Sequence, residues 1–134
     1  MEKKVIISLI TLMVISVGVL SGCTNTTTTP TIGKDDKVFI DVANGIISDL
    51  YIVTESNIYS KHSRTAIYRT DLSHYTLSDR CDGIRWALFQ SFDFIDQAYD
   101  WIDQDEHTAT GMIDIANTWL MSARKDTNKW ILEH

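Results

Sequence analysis

The sequence predicts an all-α fold, a small antiparallel bundle of three or four helices over residues 35–134. Apolar residues recur every three or four positions in several long stretches, which is the period of a helix buried on one face. The connections between these stretches are only a few residues long, which favours antiparallel neighbours. No convincing pair of strands accompanies them, so a sheet is not predicted.

The first predicted helix covers residues 35–60. Asp35 and Asp36 lie near its start, where the helix dipole favours negative charge. The pair Asn44-Gly45 is its weak point, because glycine inside a helix costs about 1 kcal/mol relative to alanine. A turn at this pair would split the segment in two. The residues that follow the helical period on one face are Phe39, Val42, Ala43, Ile46, Ile47, Leu50, Val53 and Asn57.

Residues 62–77 are compatible with either a helix or a strand. A short helix is compatible with Ile67, Tyr68, Leu72 and Tyr75, whereas the many Thr, Ser and Tyr residues suit a strand at 65–70. Because no partner strand is evident, a short helix is the preferred prediction. It could also continue the first helix.

A long helix is predicted to begin at Cys81 or Asp82 and to reach Gln104, with Ser78-Asp79 supplying capping side chains. Its apolar stripe covers about half of the helix circumference, so two neighbouring helices are needed to bury it. This helix is therefore expected at the centre of the fold. The stripe is Ile84, Leu88, Phe92, Ile95, Tyr99 and Ile102, widened by Ala87, Phe94, Ala98 and Trp101.

The last predicted helix begins at Thr108 or Thr110, either of which can cap it, and ends near Thr127. Its apolar side is built on the same helical spacing as the others. Trp130 and Ile131 are expected to fold back and close the core.

Residues 1–22 have the layout of a secretory signal peptide. A basic Lys3-Lys4 head precedes an apolar run at residues 5–20, which is shorter than the roughly 20 residues that a membrane-spanning helix needs. The run ends in Leu20-Ser21-Gly22-Cys23, which resembles the lipobox of prokaryotic membrane lipoproteins. The resemblance implies that the signal is cut before Cys23 and that the cysteine sulfur carries a lipid such as palmitate.

The lipobox resemblance implies a protein anchored through Cys23 at the outer face of the cell membrane, facing outward. Two acyl chains are enough for lasting attachment. The alternative is an uncleaved N-terminal helix with a coincidental cysteine. Residues 23–34 are rich in threonine and have low complexity, which predicts a disordered tether. Within it, Asn25-Thr26-Thr27 fits the acceptor pattern for N-glycosylation.

Composition argues against several functions. The net charge of −6 disfavours binding to nucleic acid or directly to an anionic membrane surface. About 100 residues follow the tether, enough for one domain and too few for a two-lobed solute-binding protein. The sequence contains no phosphate-binding loop, serine-nucleophile elbow or zinc-binding motif, and no cofactor is predicted.

One acidic strip is a candidate site for a partner or a metal ion. If the long helix persists, spacings of three and four residues place its members on one face, beside the apolar stripe. Carboxylates there can bind a divalent cation or a basic partner. The alternative is a solvated acidic face that keeps the protein soluble. The acidic strip consists of Asp93, Asp96, Asp100, Asp103 and His107.

Cys81 is a second candidate, since a helix start lowers a thiol pKa and favours reactivity, although the flanking aspartates oppose this. It would form a nucleophile or metal cluster with His62 or His74 only if the middle segment doubles back. A half-buried structural cysteine is the simpler interpretation, and an intermolecular disulfide is another. The aromatic residues suit core packing or a ligand pocket, with Trp86 and Phe89 as the expected exceptions to core packing. Of the two, Trp86 falls off the main stripe, toward the acidic strip.

Three functional hypotheses follow from these features. The first is a non-enzymatic, lipid-anchored module that docks a protein partner at the cell envelope. The second is a bundle that holds a small ligand or a metal ion, and the third is an enzyme that uses Cys81.

Overall fold

A computed structural model describes residues 33–134, which form four helices and no strand, so the predicted all-α bundle is confirmed. Within this range, no helix combines the length and hydropathy needed to cross a lipid bilayer. The predicted signal peptide, Cys23, Asn25 and most of the tether lie outside the described residues. The helices are α1 (Asp36–Leu50), α2 (Ile58–Ser73), α3 (Asp79–Trp101) and α4 (Glu106–Glu133).

Contacts between helix ends show that successive helices run antiparallel. Arg80 in the first turn of α3 forms an ion pair of 2.5 Å with Glu133 at the end of α4. The Asp35 N–H at the start of α1 donates to the Thr76 carbonyl, just after α2, at 3.1 Å. The starts of α1 and α3 therefore share one end of the bundle, the Gly33 end, and the starts of α2 and α4 share the far end.

Helices α3 and α4 pack against each other along a heptad pattern. Apart from Ala87 and Phe92 of α3, their buried residues alternate between spacings of three and four, which is the period of a coiled coil. Small residues let the backbones approach, and the Ser91 hydroxyl donates to the Ala116 carbonyl of α4 at 2.9 Å. This α3–α4 seam comprises Cys81, Ile84, Leu88, Ser91, Ile95 and Ala98 of α3, and Ala109, Ile113, Ala116, Leu120, Ala123, Thr127 and Trp130 of α4.

The first helix ends ten residues before the predicted boundary at residue 60. It stops at Leu50 because Tyr51 adopts φ 47° and ψ −74°, outside the helical region. The Asn44-Gly45 pair does not interrupt α1, and both residues face solvent. The ambiguous middle segment is helical, as preferred, but it belongs to a separate helix rather than to a continuation of α1.

The long third helix ends at Trp101, three residues earlier than predicted. Helix α4 begins at Glu106 because Asp105 caps it. The Asp105 carboxylate accepts hydrogen bonds from the Thr108 N–H at 3.2 Å and from the Thr108 hydroxyl at 2.9 Å. These bonds hold the pKa of Asp105 below its ordinary value.

The expected fold-back of Trp130 and Ile131 is wrong, because α4 continues through both residues to Glu133. Trp130 reaches the core from within the helix. It lies seven residues after Ala123, so it continues the heptad pattern on the same face.

The buried carboxylate of Asp36 joins the start of α1 to the start of α3. It accepts hydrogen bonds from the Gly33 N–H and the Ser78 N–H, both at 2.9 Å. Burial alone would raise the pKa of Asp36, but hydrogen bonding from the Ser78 side chain and from these two N–H groups outweighs burial and holds the pKa below its ordinary value. A Cβ at Gly33 would lie 2.2 Å from the Ser78 nitrogen, so this Asp36 junction requires glycine.

Replacing Gly33 by alanine should lower the free energy of unfolding by about 2 kcal/mol or more, since the new Cβ displaces two part-buried N–H donors from the buried carboxylate. Urea unfolding of the full chain measures this. Gly45→Ala is the matched control: a Cβ there meets nothing within 4 Å, and it should raise stability by about 0.4–1 kcal/mol. Equal stability of Gly33→Ala and the wild type would contradict the close packing.

Asp36→Asn should lower the free energy of unfolding at neutral pH by about 1–3 kcal/mol, because an amide cannot accept from both N–H donors through two oxygens. The pKa of Asp36 is lower in the folded state than its ordinary 3.8. Its stabilising contribution is therefore complete above that pH and is lost as the pH falls through the lower folded value.

The difference between wild type and Asp36→Asn should accordingly shrink below about pH 3.8. Urea titrations at neutral and acidic pH measure it. Asp41→Asn, on the exposed face of α1, is the control and should show little change at either pH. A difference that grows on acidification would refute the assignment.

Candidate functional site

The acidic strip is divided between a helix interface and a helix end. Arg69 of α2 contacts its first two members, with Nη2 2.5 Å from Asp93 Oδ1 and Nη1 2.8 Å from Asp96 Oδ2. Burial lowers the pKa of Arg69, but hydrogen bonds to the two carboxylates outweigh this and raise it. Both carboxylates are thus paired with one guanidinium from a neighbouring helix of the same chain.

Asp96 also binds two other side chains of α2. The Thr65 hydroxyl donates to Asp96 Oδ1 at 2.7 Å, and His62 Nδ1 lies 2.9 Å from the same oxygen. The His62 ring stacks on Tyr99 with 3.7 Å between ring centroids. These contacts fix the orientation of the His62 imidazole. Because all of them join α2 to α3, their role is to hold the two helices together.

The remainder of the acidic strip does not gather into one site. Asp103 accepts a hydrogen bond of 2.8 Å from the Tyr59 hydroxyl, which raises the pKa of Tyr59. Asp100 is exposed near the end of α3, and His107 is exposed in the first turn of α4. Among residues 33–134, no three His, Cys, Asp or Glu side chains are arranged to hold a metal ion.

Cys81 is fully buried in the α3–α4 seam. Burial raises the pKa of its thiol to about 11, with Ser78 opposing the shift and the Asp36 charge adding to it. The two candidate histidine partners have other contacts: His62 stacks on Tyr99, and His74 lies against Tyr75 with ring centroids 4.2 Å apart. At neutral pH the thiol is protonated and shielded from solvent, which does not favour a nucleophile.

Trp86 lies off the main stripe and is 54% exposed. Its ring meets Trp119 of α4 edge-on, with centroids 4.9 Å apart. Phe89 is partly buried and packs near Phe92, with centroids 6.1 Å apart. The two aromatic residues therefore differ, since only Trp86 offers most of its ring to solvent.

The loop between α1 and α2, residues 51–57, lies along α4 and was not recognised in the sequence. Its contact residues on α4 are seven positions apart, so the loop follows one face of that helix. Three contacts fasten it: the Tyr51 carbonyl to Arg124 at 2.7 Å, the Val53 backbone to Asn117 at 2.9 and 2.8 Å, and Glu55 to Thr110 at 2.5 Å.

The Asn117 side chain binds both backbone polar groups of Val53, in the middle of this loop, in the way that a neighbouring β-strand would. Its Oδ1 accepts from the Val53 N–H and its Nδ2 donates to the Val53 carbonyl. The Val53 side chain is buried in the core. Asn57 is a local sequence feature that indicates a turn before α2. Its Oδ1 accepts a hydrogen bond from the Thr54 N–H at 2.8 Å.

Tyr51 is the one non-glycine residue among residues 33–134 with positive φ. Such backbone conformations cost on the order of 1–3 kcal/mol and concentrate at functional sites. Tyr51 is held by its N–H, which donates to the Ile47 carbonyl at 2.9 Å, and by Arg124, whose guanidinium lies 5.7 Å from the ring centroid. The side chain is nevertheless 71% exposed, so the strain does not bury it.

An open cavity of about 170 Å³, the notch, lies between this loop and α4. Its size is close to the roughly 150 Å³ cavity that accommodates a benzene molecule in another protein. Ile52 is 51% exposed and Met121 is 65% exposed. The notch can receive one large apolar side chain or a ligand of similar size. Its lining residues are Tyr51, Ile52, Asn117, Met121 and Arg124.

Comparison with known proteins found no family model, no curated protein and no solved structure that matches the chain. The candidate site therefore rests on the geometry of residues 33–134. Of its features, the notch combines backbone strain, exposed apolar side chains and a concave surface.

The backbone strain at Tyr51 predicts that glycine is more stabilising than alanine at this position, which reverses the usual order within a helix. Tyr51→Gly should be more stable than Tyr51→Ala by about 1 kcal/mol, because glycine adopts positive φ without a Cβ penalty. Both variants lose the ring, so their difference isolates the backbone. Urea unfolding measures it, and the same pair at position 45 should rank the other way. An alanine variant at least as stable as the glycine variant would show that Tyr51 is unstrained.

Proposed function

We propose that this protein is a lipid-anchored module of the cell envelope that docks a protein partner through the notch and performs no catalysis of its own. The observation that carries the docking proposal is the strained, exposed Tyr51 beside Ile52 and Met121. The anchoring proposal is supported by Leu20-Ser21-Gly22-Cys23, with Cys23 carrying the lipid.

The geometry of the chain is compatible with docking away from the membrane. The segment from Cys23 to Gly33 reaches at most about 36 Å when extended. It joins the bundle at the Gly33 end, whereas Met121 lies twelve residues, or about 18 Å, from the end of α4 at Glu133. The notch therefore opens on the side of the bundle, clear of the point where the tether joins.

The other candidate sites support this choice because they already have contacts within the domain. Arg69, His62 and Thr65 occupy the first part of the acidic strip. Cys81 is buried, with a raised pKa. The exposed apolar side chains around the notch have no comparable contacts that cover them.

A small ligand in the notch is the second candidate function. The open volume of about 170 Å³ and the adjoining Arg124 favour it. However, a ligand of that size would leave most of Tyr51 and Met121 in water. A protein partner covers both, which is why docking is proposed first.

Site-specific photo-crosslinking in cells of the source organism tests the docking proposal. A photoreactive residue at Met121 in the full chain should give one discrete adduct, and Cys23→Ser should greatly reduce its yield by releasing the protein from the membrane. The control position is Ile67, which is similarly exposed on α2 and should give no adduct.

Equal labelling at Met121 and Ile67, or no adduct at either position, would reject docking through the notch. An adduct whose yield does not depend on Cys23 would leave docking in place and reject the need for the lipid anchor.

A further inference from the structure

We infer that the notch recognises the carboxyl-terminal residue of its partner, with an apolar side chain in the cavity and the terminal carboxylate on Arg124. This inference rests on the proposed docking function and specifies its chemistry.

Arg124 is the only arginine among residues 33–134 that has no carboxylate partner. Each of the other arginines forms an ion pair with at least one carboxylate. In a chain with 18 acidic residues and a net charge of −6, an arginine without such a pair is notable. The paired arginines are Arg64, Arg69, Arg80 and Arg85.

The Arg124 guanidinium retains donors for a ligand. A guanidinium has five N–H groups, and Nη2 of Arg124 donates to the Tyr51 carbonyl at 2.7 Å. This contact and the Tyr51 ring hold the group beside the cavity. A guanidinium oriented in advance in this way suits a carboxylate, which it can bind through two parallel hydrogen bonds.

The remaining lining selects the apolar part of the ligand. Both polar groups of the Asn117 amide are already bonded to Val53, so this side chain adds no strong polar requirement. Ile52 and Met121 provide apolar walls, of which the unbranched Met121 is flexible. The volume of about 170 Å³ fits a single side chain such as phenylalanine or leucine.

A chain terminus meets both requirements within one residue. Its carboxylate and side chain are attached to the same Cα, so the carboxylate reaches Arg124 while the side chain enters the adjoining cavity. An internal Asp or Glu would need a neighbouring residue to fill the cavity, and neighbours in an extended peptide point to opposite sides. Residues upstream of the terminus would cover Tyr51 and Met121, which a free small acid could not.

The test is a titration of the isotope-labelled full chain in detergent, followed through backbone amide chemical shifts. The probe is a synthetic hexapeptide, Gly-Ser-Gly-Ser-Gly-Phe, with a free carboxyl terminus. Saturable shifts should appear at Tyr51, Ile52 and Met121. The same peptide with a carboxyl-terminal amide should bind at least about 10-fold more weakly, since it loses the charge-assisted bonds to Arg124.

Variants assign the effect to the proposed residues. Arg124→Met should weaken binding of the free-acid peptide at least about 10-fold, matching the loss of its charge-assisted bonds. Lys125→Met removes the neighbouring exposed cation and should leave binding unchanged. Ile52→Ser, which keeps the Arg124–Tyr51 contact, should also weaken binding, so the result does not depend on Arg124→Met folding normally.

Equal affinity for the acid and amide peptides, or no shifts at the notch up to millimolar peptide, would overturn the inference. If 3-phenylpropionate bound as tightly as the peptide, the notch would be a small-acid site and not a docking site. A Met121 adduct in cells without peptide binding would reject this inference alone. Peptide binding without any adduct would reject the proposed docking function in the cell.

Discussion

The close packing of α3 against α4 is the constraint on which the rest of the bundle depends. Small residues at the contact, including Ser91 and Ala116, bring the two backbones together, and the heptad spacing keeps the same faces opposed along both helices. Helix α1 packs against this pair but has 15 residues against the 28 of α4. At 1.5 Å per residue, these are about 22 and 42 Å long. Much of α4 therefore needs another cover, and the loop at residues 51–57 supplies it.

This difference in length accounts for the notch. To pass from α1 onto the face of α4, the chain turns sharply at Tyr51, whose backbone leaves the helical region. Arg124 and Asn117 then bind loop backbone groups that no helix or sheet satisfies. The loop covers the core with Val53 while leaving Ile52 outward, since neighbouring residues in extended chain point to opposite sides. The same geometry that closes the core thus creates an exposed apolar concavity.

Helix α2 is held differently, because it has little apolar surface. Its buried residues are Ile58, Thr65 and Leu72, one in every seven. Polar bonds supplement this narrow contact, and Arg69 and His62 bind carboxylates of α3. The acidic residues that the sequence presents as a strip therefore serve partly as an internal interface. An individual exposed ion pair contributes little, but several that converge on one carboxylate orient a helix.

The sequence alone predicted an all-α bundle of three or four helices, because each helix buries one face and local periodicity records that burial. It also predicts the anchor motif at Cys23, which is a local pattern. Tertiary structure decided that residues 33–134 form four helices and that residues 62–73 are helical. It decided where α1 ends, since periodicity continues through Val53, whereas Asn117, 64 residues later, binds the Val53 backbone in a loop along α4. It likewise decided that Arg69 meets Asp93 and Asp96, while Arg124 meets no carboxylate of residues 33–134. These are contacts between residues far apart in the chain, and they depend on which helices become neighbours and how long each one is.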